Sequence, residues 1–376
     1  MPHASRNRPR YAARLNAFRL GLPGKPGIRE MIGRAAEVGG LDAADLNYPD
    51  HFEGHSATEI GRMLGDAGMA LNGLAMRFYT DPGFRLGAFT HPDPATRQAA
   101  IDLTRRGLDA LAEMGGSLMT LWMGQDGFDY SFQAKYARLW DDTVAALRDV
   151  ADHAPGIDTA LGLGAPLMTL WMGQDGFDYA FQLDYARAWD DTIAALEEVC
   201  AHAPDCDIAL EYKPNEPRAF ALMPDIGTTL LAIREADRPN LGVTLDFAHV
   251  LYADEMPAHA AHLIARHSKL LGVHLNDGYG KRDDGLMAGT VHPVQTVELF
   301  VELDRIGYDG VIYFDTFPDH GGLDPVEEAR TNLEVVEHLR AVAGDLGGDR
   351  QLATAIGRQD AATAMRIVAR RLYGMP

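Results

Sequence analysis

Cysteine is nearly absent: the chain has two, Cys200 and Cys206, in 376 residues. That is too few for a disulfide framework or a zinc knuckle. Positive charge is also scarce, with 34 Lys plus Arg against 54 Asp plus Glu and a net charge of −20. No basic cluster offsets it, which excludes a nucleic-acid backbone or a polyanion as partner. No apolar run approaches the roughly 18 residues of a membrane span. The first ten residues are basic but lack the apolar core of a secretory leader. These absences predict a cytoplasmic protein with neither a nucleic-acid nor a membrane partner. What is present is apolar material, 47% of the chain, enough to bury a large core in one elaborated domain.

Along the chain, strand-like and helix-like segments alternate. Strands are expected near 15–20, 41–46, 71–78, 167–172, 207–213, 241–247, 270–276 and 310–315. Helices are expected over 28–38, 57–67, 95–114, 224–235, 257–266, 294–306 and 326–344, with a further pair in 350–373. Eight βα units of this kind predict an α/β fold, a (β/α)8 TIM barrel. The barrel is expected over 1–340 and a C-terminal helical extension over 341–376. A long loop, 79–94, follows the third strand and is the length of an active-site wall.

The later strands share a design. Glu211-Tyr-Lys213-Pro closes one apolar run, Asp246-Phe-Ala-His249 another, His274-Leu-Asn-Asp277 a third and Asp315 a fourth. In an α/β barrel the carboxyl ends of the strands assemble the active site. Glu211, Asp246, His274 and Asp315 therefore form a candidate divalent-metal site. Any one of them alone would suit an N-cap or an ion pair; four on consecutive strands point to a ligand set. Carboxylate and imidazole without thiolate suit Mn²⁺, Co²⁺ or Mg²⁺ over structural zinc.

One feature breaks the simple count. Residues 118–161 repeat as 167–210 at an offset of 49, with 32 of 44 positions identical, including Leu-Met-Thr-Leu-Trp-Met-Gly-Gln-Asp-Gly-Phe-Asp-Tyr in both copies. The unit duplicated is one βα module (118–166 and 167–215). Where the second copy runs into Glu211 and Lys213, the first has Gly162 and Gly164. Two copies do not make a solenoid. Because strand number, tilt and shear are linked in a closed barrel, one copy is expected outside the ring, packing there or exchanging with a neighbouring chain, and the second copy is expected within it.

Glu211-Tyr-Lys-Pro, Asp246-Phe-Ala-His, His274-Leu-Asn-Asp, Asp283-Asp284-Gly-Leu-Met-Ala-Gly289 and Asp315 together resemble the xylose-isomerase-like barrels, most closely the bacterial L-rhamnose isomerase type. The resemblance covers the chain apart from the extra repeat. It implies a structural metal on Glu211, Asp246, His274 and Asp315, and a second, catalytic metal using His249 and Asp283 with His274 shared or nearby. It also implies that Lys213 and Trp171 face the sugar, Trp122 being the first copy's counterpart of Trp171. Where the family usually carries three consecutive acidic residues, this chain has Asp283-Asp284-Gly285. Gly285 cannot coordinate, so the departure falls on the second metal and leaves the first untouched.

The activity implied is metal-assisted hydride transfer between C1 and C2 of an aldose and its ketose. Lys213 would stabilise the alkoxide, and Asp283 or a bound water would shuttle the hydroxyl proton. Catalysis is accordingly assigned to Lys213, His249, Asp283 and Glu211. Trp171 and Asp175 are candidates for sugar contact, as are Phe52 and, in the long loop, His91, although a surface position is the plainer expectation for the last two. The expected cofactor is one or two divalent ions, Mn²⁺ first, with Co²⁺, Mg²⁺ or Zn²⁺ as alternatives. The expected partners are a neutral monosaccharide and further copies of the chain, as dimer or tetramer. Two other readings stay open: a single-metal ketose 3-epimerase acting by proton transfer, and a non-catalytic sugar-binding or assembly protein whose pocket the duplication has disturbed.

Overall fold

The computed structural model describes residues 10–116, 118–121, 126, 136–151, 153, 167–172 and 175–375. Eleven strands are described: β1 (Tyr11–Arg14), β2 (Ala43–Tyr48), β3 (Ala70–Met76), β4 (Met119–Leu121), β5 (Leu167–Trp171), β6 (Gly176–Phe177), β7 (Asp207–Glu211), β8 (Phe220–Ala221), β9 (Leu241–Asp246), β10 (Leu270–Leu275) and β11 (Ile312–Phe314). Nine form one sheet in the order β4-β3-β2-β1-β11-β10-β9-β7-β5, and every ladder in it is parallel. Strands β6 and β8 make a separate antiparallel ribbon. The two ends of the long sheet, β4 and β5, lie beside each other, so the sheet is a nearly closed barrel. Its helices alternate with the strands, as in a TIM barrel.

The α/β barrel is the one expected, but its strand count is not eight. Both copies of the repeat place a strand in the sheet, and neither is expelled. Strand β4 takes the free edge of β3 and β5 takes the free edge of β7. No ladder joins β4 to β5 among the described residues. The identical Met-Thr-Leu core suits either edge, so both copies find a partner. Gly162 and Gly164 lie outside the described residues.

Strand β1 also differs from expectation. It ends at Arg14, and Leu15–Arg19 is a 3-10 helix burying Leu15, Ala17 and Phe18. Arg14 Nε donates to the Thr316 carbonyl at 3.0 Å, which fixes that side chain where β1 leaves its ladder with β11. The apolar strands read correctly because helices cover the sheet. All six residues of β9 are buried, as parallel-barrel strands must be.

Helix limits follow local chemistry. Ser56 and Glu59 form a reciprocal capping box at the start of Ala57–Asp66, and Asp324 accepts two backbone N–H groups at the start of Pro325–Gly347. That helix continues through 340 without a break. The tail proper is the helix pair Arg350–Gly357 and Ala361–Tyr373, anchored by buried Leu352 and Leu372.

Candidate metal centre

Each proposed ligand comes from a strand end. Glu211 is the last residue of β7, Asp246 the last of β9, His274 the fifth of six in β10, and Asp315 follows β11 directly. One ligand atom from each lies within 4.8 Å of the others. His274 Nδ1 is 2.9 Å from Glu211 Oε1 and 3.9 Å from Asp246 Oδ2.

Asp246 serves two tasks at once. Its Oδ1 accepts the His249 N–H at 2.9 Å, capping the helix Phe247–Tyr252 that starts on the next residue. Both its oxygens also face Asn276 Nδ2, at 3.3 and 3.2 Å. The same Asn276 nitrogen reaches the Asp315 carbonyl at 3.2 Å, and its Oδ1 accepts the Ala248 N–H at 2.8 Å. Asn276 thus braces the ends of β9 and β11 against each other. Asn276 stands in the His274-Leu-Asn-Asp motif, but its bracing role depends on burial between strand ends that the motif does not show.

His249 stands behind Glu211 and Asp246. Its Nδ1 is 3.8 Å from Glu211 Oε1 and 4.0 Å from Asp246 Oδ1, too far for hydrogen bonds. Its Nε2 is 3.4 Å from Asp283 Oδ2. His249 Nδ1 and Asp283 Oδ1 are both buried without a hydrogen-bond partner. Orphaned buried groups of this kind cost about 1–3 kcal/mol each, and a cation among them removes that cost. Together with three carboxylates and an imidazole converging within 4.8 Å, this donor set fits a hard or borderline divalent ion.

The electrostatics agree. Burial pushes the Asp246 carboxyl up to about 7, against the pull of the His249 imidazole. Burial by itself would lower His274, but the Glu211 carboxylate, with Asp315 and Asp246, overrides it and raises that imidazole to about 10. His249 follows the same pattern, raised to about 9 chiefly by Asp246. Negative charge in excess is what these shifts report, and a divalent ion is its natural counterion.

Lys213 lies two residues past Glu211. Its ammonium is 3.3 Å from Asp283 Oδ2, 3.2 Å from Glu216 Oε2 and 5.4 Å from the centre of the Trp171 ring. Trp171 pairs in register with Glu211 across β5 and β7. Trp171, Asp175, Glu211 and Lys213 line one open pocket, walled on its apolar side by Leu170, Leu210, Tyr212 and Met223. The pocket meets the ligand cluster at Glu211. The structure therefore brings together Glu211, Asp246, His274, Asp315, His249, Asp283, Lys213, Trp171 and Asp175.

It does not bring in the other two residues. His91 Nδ1 accepts the Asp93 N–H at 3.0 Å, and its carbonyl accepts from Arg97 at 2.7 Å; these bonds serve the start of the helix Pro94–Glu113. Phe52 packs on Tyr48 with ring centres 5.0 Å apart. Neither lines the pocket. Trp122 lies outside the described residues.

Gly285 has a conformational reason. Its φ is +55°, and a Cβ there would stand 2.2 Å from the Phe317 ring. An acidic side chain at 285 is excluded by this packing, so the departure from the three-acid run is built into the loop.

Residues 155–341 match the family described as xylose isomerase-like TIM barrel. The chain belongs to the xylose isomerase-like TIM barrels. Among curated members, the xylose isomerase of Thermus thermophilus is 27% identical over 256 residues, covering 68% of this chain and 54% of the relative. That of Thermus caldophilus is 26% identical over the same length. The chain thus matches about half the length of these relatives. Solved structures of the same fold include a D-tagatose 3-epimerase-like protein (15% identical, TM-score 0.53, 89% of this chain and 98% of that one). An L-ribulose 3-epimerase is similar (14%, 0.53, 91% and 99%). So is a xylose isomerase domain protein from Alicyclobacillus acidocaldarius (17%, 0.52, 89% and 99%). At these identities the likeness is one of fold. Among the described residues no helix is long and apolar enough to cross a membrane.

Proposed function

We propose that the protein is a divalent-metal-dependent sugar isomerase that interconverts an open-chain aldose and its ketose, of the L-rhamnose isomerase type. The observation that carries this reading is Lys213, a nearly buried ammonium held by Asp283 and Glu216 in the pocket that meets the ligand cluster at Glu211. Glu211, Asp246, His274 and Asp315 would hold one ion, and His249 with Asp283 would hold a second. An ion in such a set supplies Lewis-acid polarisation of a carbonyl. Hydride passes from C2 to C1 of the substrate. Lys213 donates to O1, where negative charge develops. Asp283, backed by His249, accepts the proton of the C2 hydroxyl and returns it to O1, so the product differs from the substrate only by that hydride and that proton. Trp171 offers a stacking face and Asp175 a hydrogen-bond acceptor. A neutral monosaccharide suits this acid-rich site better than a sugar phosphate.

A second reading, a ketose 3-epimerase, is favoured by one observation: the carboxylates of Glu211 and Asp315 both point into the cluster and could serve the two faces of a carbon. Chelated protein given back Mn²⁺ or Co²⁺, then offered L-rhamnose, L-lyxose, D-allose and the matching ketoses in D₂O, separates the two. Isomerase action yields ketose without solvent deuterium on carbon; epimerase action labels C3. Metal binding without turnover of any sugar would leave the non-catalytic sugar-binding reading. Assembly as a dimer or tetramer belongs to the same proposal; sedimentation equilibrium showing a monomer would remove it. A cytoplasmic setting is proposed with it.

A further inference from the structure

The two copies of the repeat have equivalent residues and different neighbours. Met119, Thr120 and Leu121 pair with Leu74, Ala75 and Met76 of β3. Their counterparts at the 49-residue offset, Met168, Thr169 and Leu170, pair with Ile208, Ala209 and Leu210 of β7. Each copy uses one edge of the same short sequence, and the other edge faces the seam. The helices divide likewise. Tyr136–Ala151 packs on Pro94–Glu113, whereas Tyr185–His202 packs on Ile226–Ala236.

Single side chains show the same split. Asp126 Oδ1 accepts from Ala88 N, Thr90 N and Thr90 Oγ1 at 2.8, 2.9 and 2.8 Å, tying down the long loop after β3. Its counterpart Asp175 lines the pocket beside Trp171 and Lys213. Arg138 pairs with Asp142 and reaches the Thr90 carbonyl, and Asp142 also pairs with Arg97. The counterpart pair, Arg187 with Asp191, is exposed.

We infer that residues 118–166 are a separable insert: the two copies share the neighbours of one βα module, and a chain without the insert closes as an eight-stranded barrel in which Asp175 takes over the tether now made by Asp126. One strand carries both ladders in that ring. The seam disappears, and with it two edges that carry no ladder among the described residues, of the kind that expose a sheet to slippage and pairing with other chains. The loop 79–94 moves about one strand spacing, ~4.8 Å, toward the Glu211 and Lys213 side. The present nine-stranded ring holds that loop one strand further away.

The test needs no substrate, so its outcome is separate from that of the proposed activity. Four proteins are compared with the full chain by thermal unfolding and by trypsin cleavage after the exposed Arg85: Asp126→Ala, Asp175→Ala, the chain lacking 118–166, and that shortened chain with Asp175→Ala. In the full chain, Asp126→Ala is expected to speed cleavage about tenfold or more and Asp175→Ala to leave it unchanged. The shortened chain is expected to melt cooperatively at or above the midpoint of the full chain. In it, Asp175→Ala is expected to speed cleavage as Asp126→Ala does in the parent. A shortened chain that is insoluble, or melts below the parent, overturns the inference. So does a shortened chain that folds but whose cleavage after Arg85 ignores Asp175.

Discussion

The barrel interior has two unlike polar walls. On β7, β9, β10 and β11 stand Glu211, Asp246, His274 and Asp315, with His249 and Asp283 behind them, and two buried polar atoms of this wall lack partners. On β2 and β3 stand Asp45, Asn47 and Asn72, with Arg77 just past β3, bonded largely to one another. Asn72 donates to Asp45 at 2.9 Å, the Tyr313 hydroxyl reaches Asp45 from β11, and Arg77 Nε donates to Asn47 at 3.2 Å. Apart from His51 at its edge, the second wall satisfies its polar groups within the chain. The first leaves His249 Nδ1 and Asp283 Oδ1 without partners. A buried network that is complete rigidifies, whereas an unsatisfied buried group calls for an explanation, of which a bound ion is one.

The sharpest way to break this contrast is to remove a shared ligand. Glu211→Gln takes away the carboxylate that meets His274 at 2.9 Å and lies beside His249. Mn²⁺ affinity by calorimetry should fall by more than the roughly 100-fold upper end found for groups that merely orient ligands. An unchanged affinity would place the ion elsewhere and dissolve the difference between the walls. Added Mn²⁺ should also raise the unfolding midpoint of the parent, since at about 100 times its dissociation constant a ligand of the native state adds about 2.7 kcal/mol; in Glu211→Gln that gain should vanish.

Asn276→Leu comes next. It leaves every ligand in place and removes the amide that spans Asp246 and the Asp315 carbonyl. Affinity should drop roughly 10- to 100-fold, with about 1–3 kcal/mol lost from folding because the Ala248 N–H loses its acceptor. Loss of stability alone, with metal affinity intact, would make Asn276 a structural strut and nothing more.

How far these walls could be read from sequence follows from the range of the forces involved. The acid wall was legible because each ligand ends its own apolar run, and strand period and residue type are local signals. The place of Lys213 and Trp171 beside it was implied by the family resemblance, not by spacing. The second wall was not legible. Asp45 and Asn47 sit in Ala-Ala-Asp-Leu-Asn-Tyr, a run that does not show what its polar residues face; β11 brings Tyr313 against Asp45 from two strands away. His91 went the other way: a side chain in a long loop invited a pocket role, and a two-residue bond to Asp93 N–H held it at a helix start instead. The ring of nine was out of reach because either edge accepts the repeated strand, so counting strands could not say how many the sheet would hold. Gly285 was read as a missing ligand; only the Phe317 ring shows why no side chain fits there.

The smallest expected effect lies at the edge of the second wall, where His51 is the exception to its completeness. His51 Nδ1 accepts the Asn47 N–H at 3.0 Å, while Nε2 is buried without a partner. Burial, with Arg77 and Arg19 nearby, lowers this imidazole to about 4 from an ordinary 6.5. A base lowered in this way binds its proton first in the unfolded chain. Its contribution is therefore fully present above pH 6.5, and stability falls as pH drops through the window from about 6.5 to about 4. A shift of that size corresponds to at most about 3 kcal/mol across the window. His51→Gln keeps an acceptor for the Asn47 N–H and cannot titrate. Urea midpoints measured from pH 7 to pH 4 should fall more steeply for the parent than for His51→Gln, with Mn²⁺ left out so that the acid wall contributes equally to both. Parallel slopes would mean that His51 takes up its proton in the folded chain, through a partner at Nε2, and the second wall would then be as complete as the rest of its bonds make it.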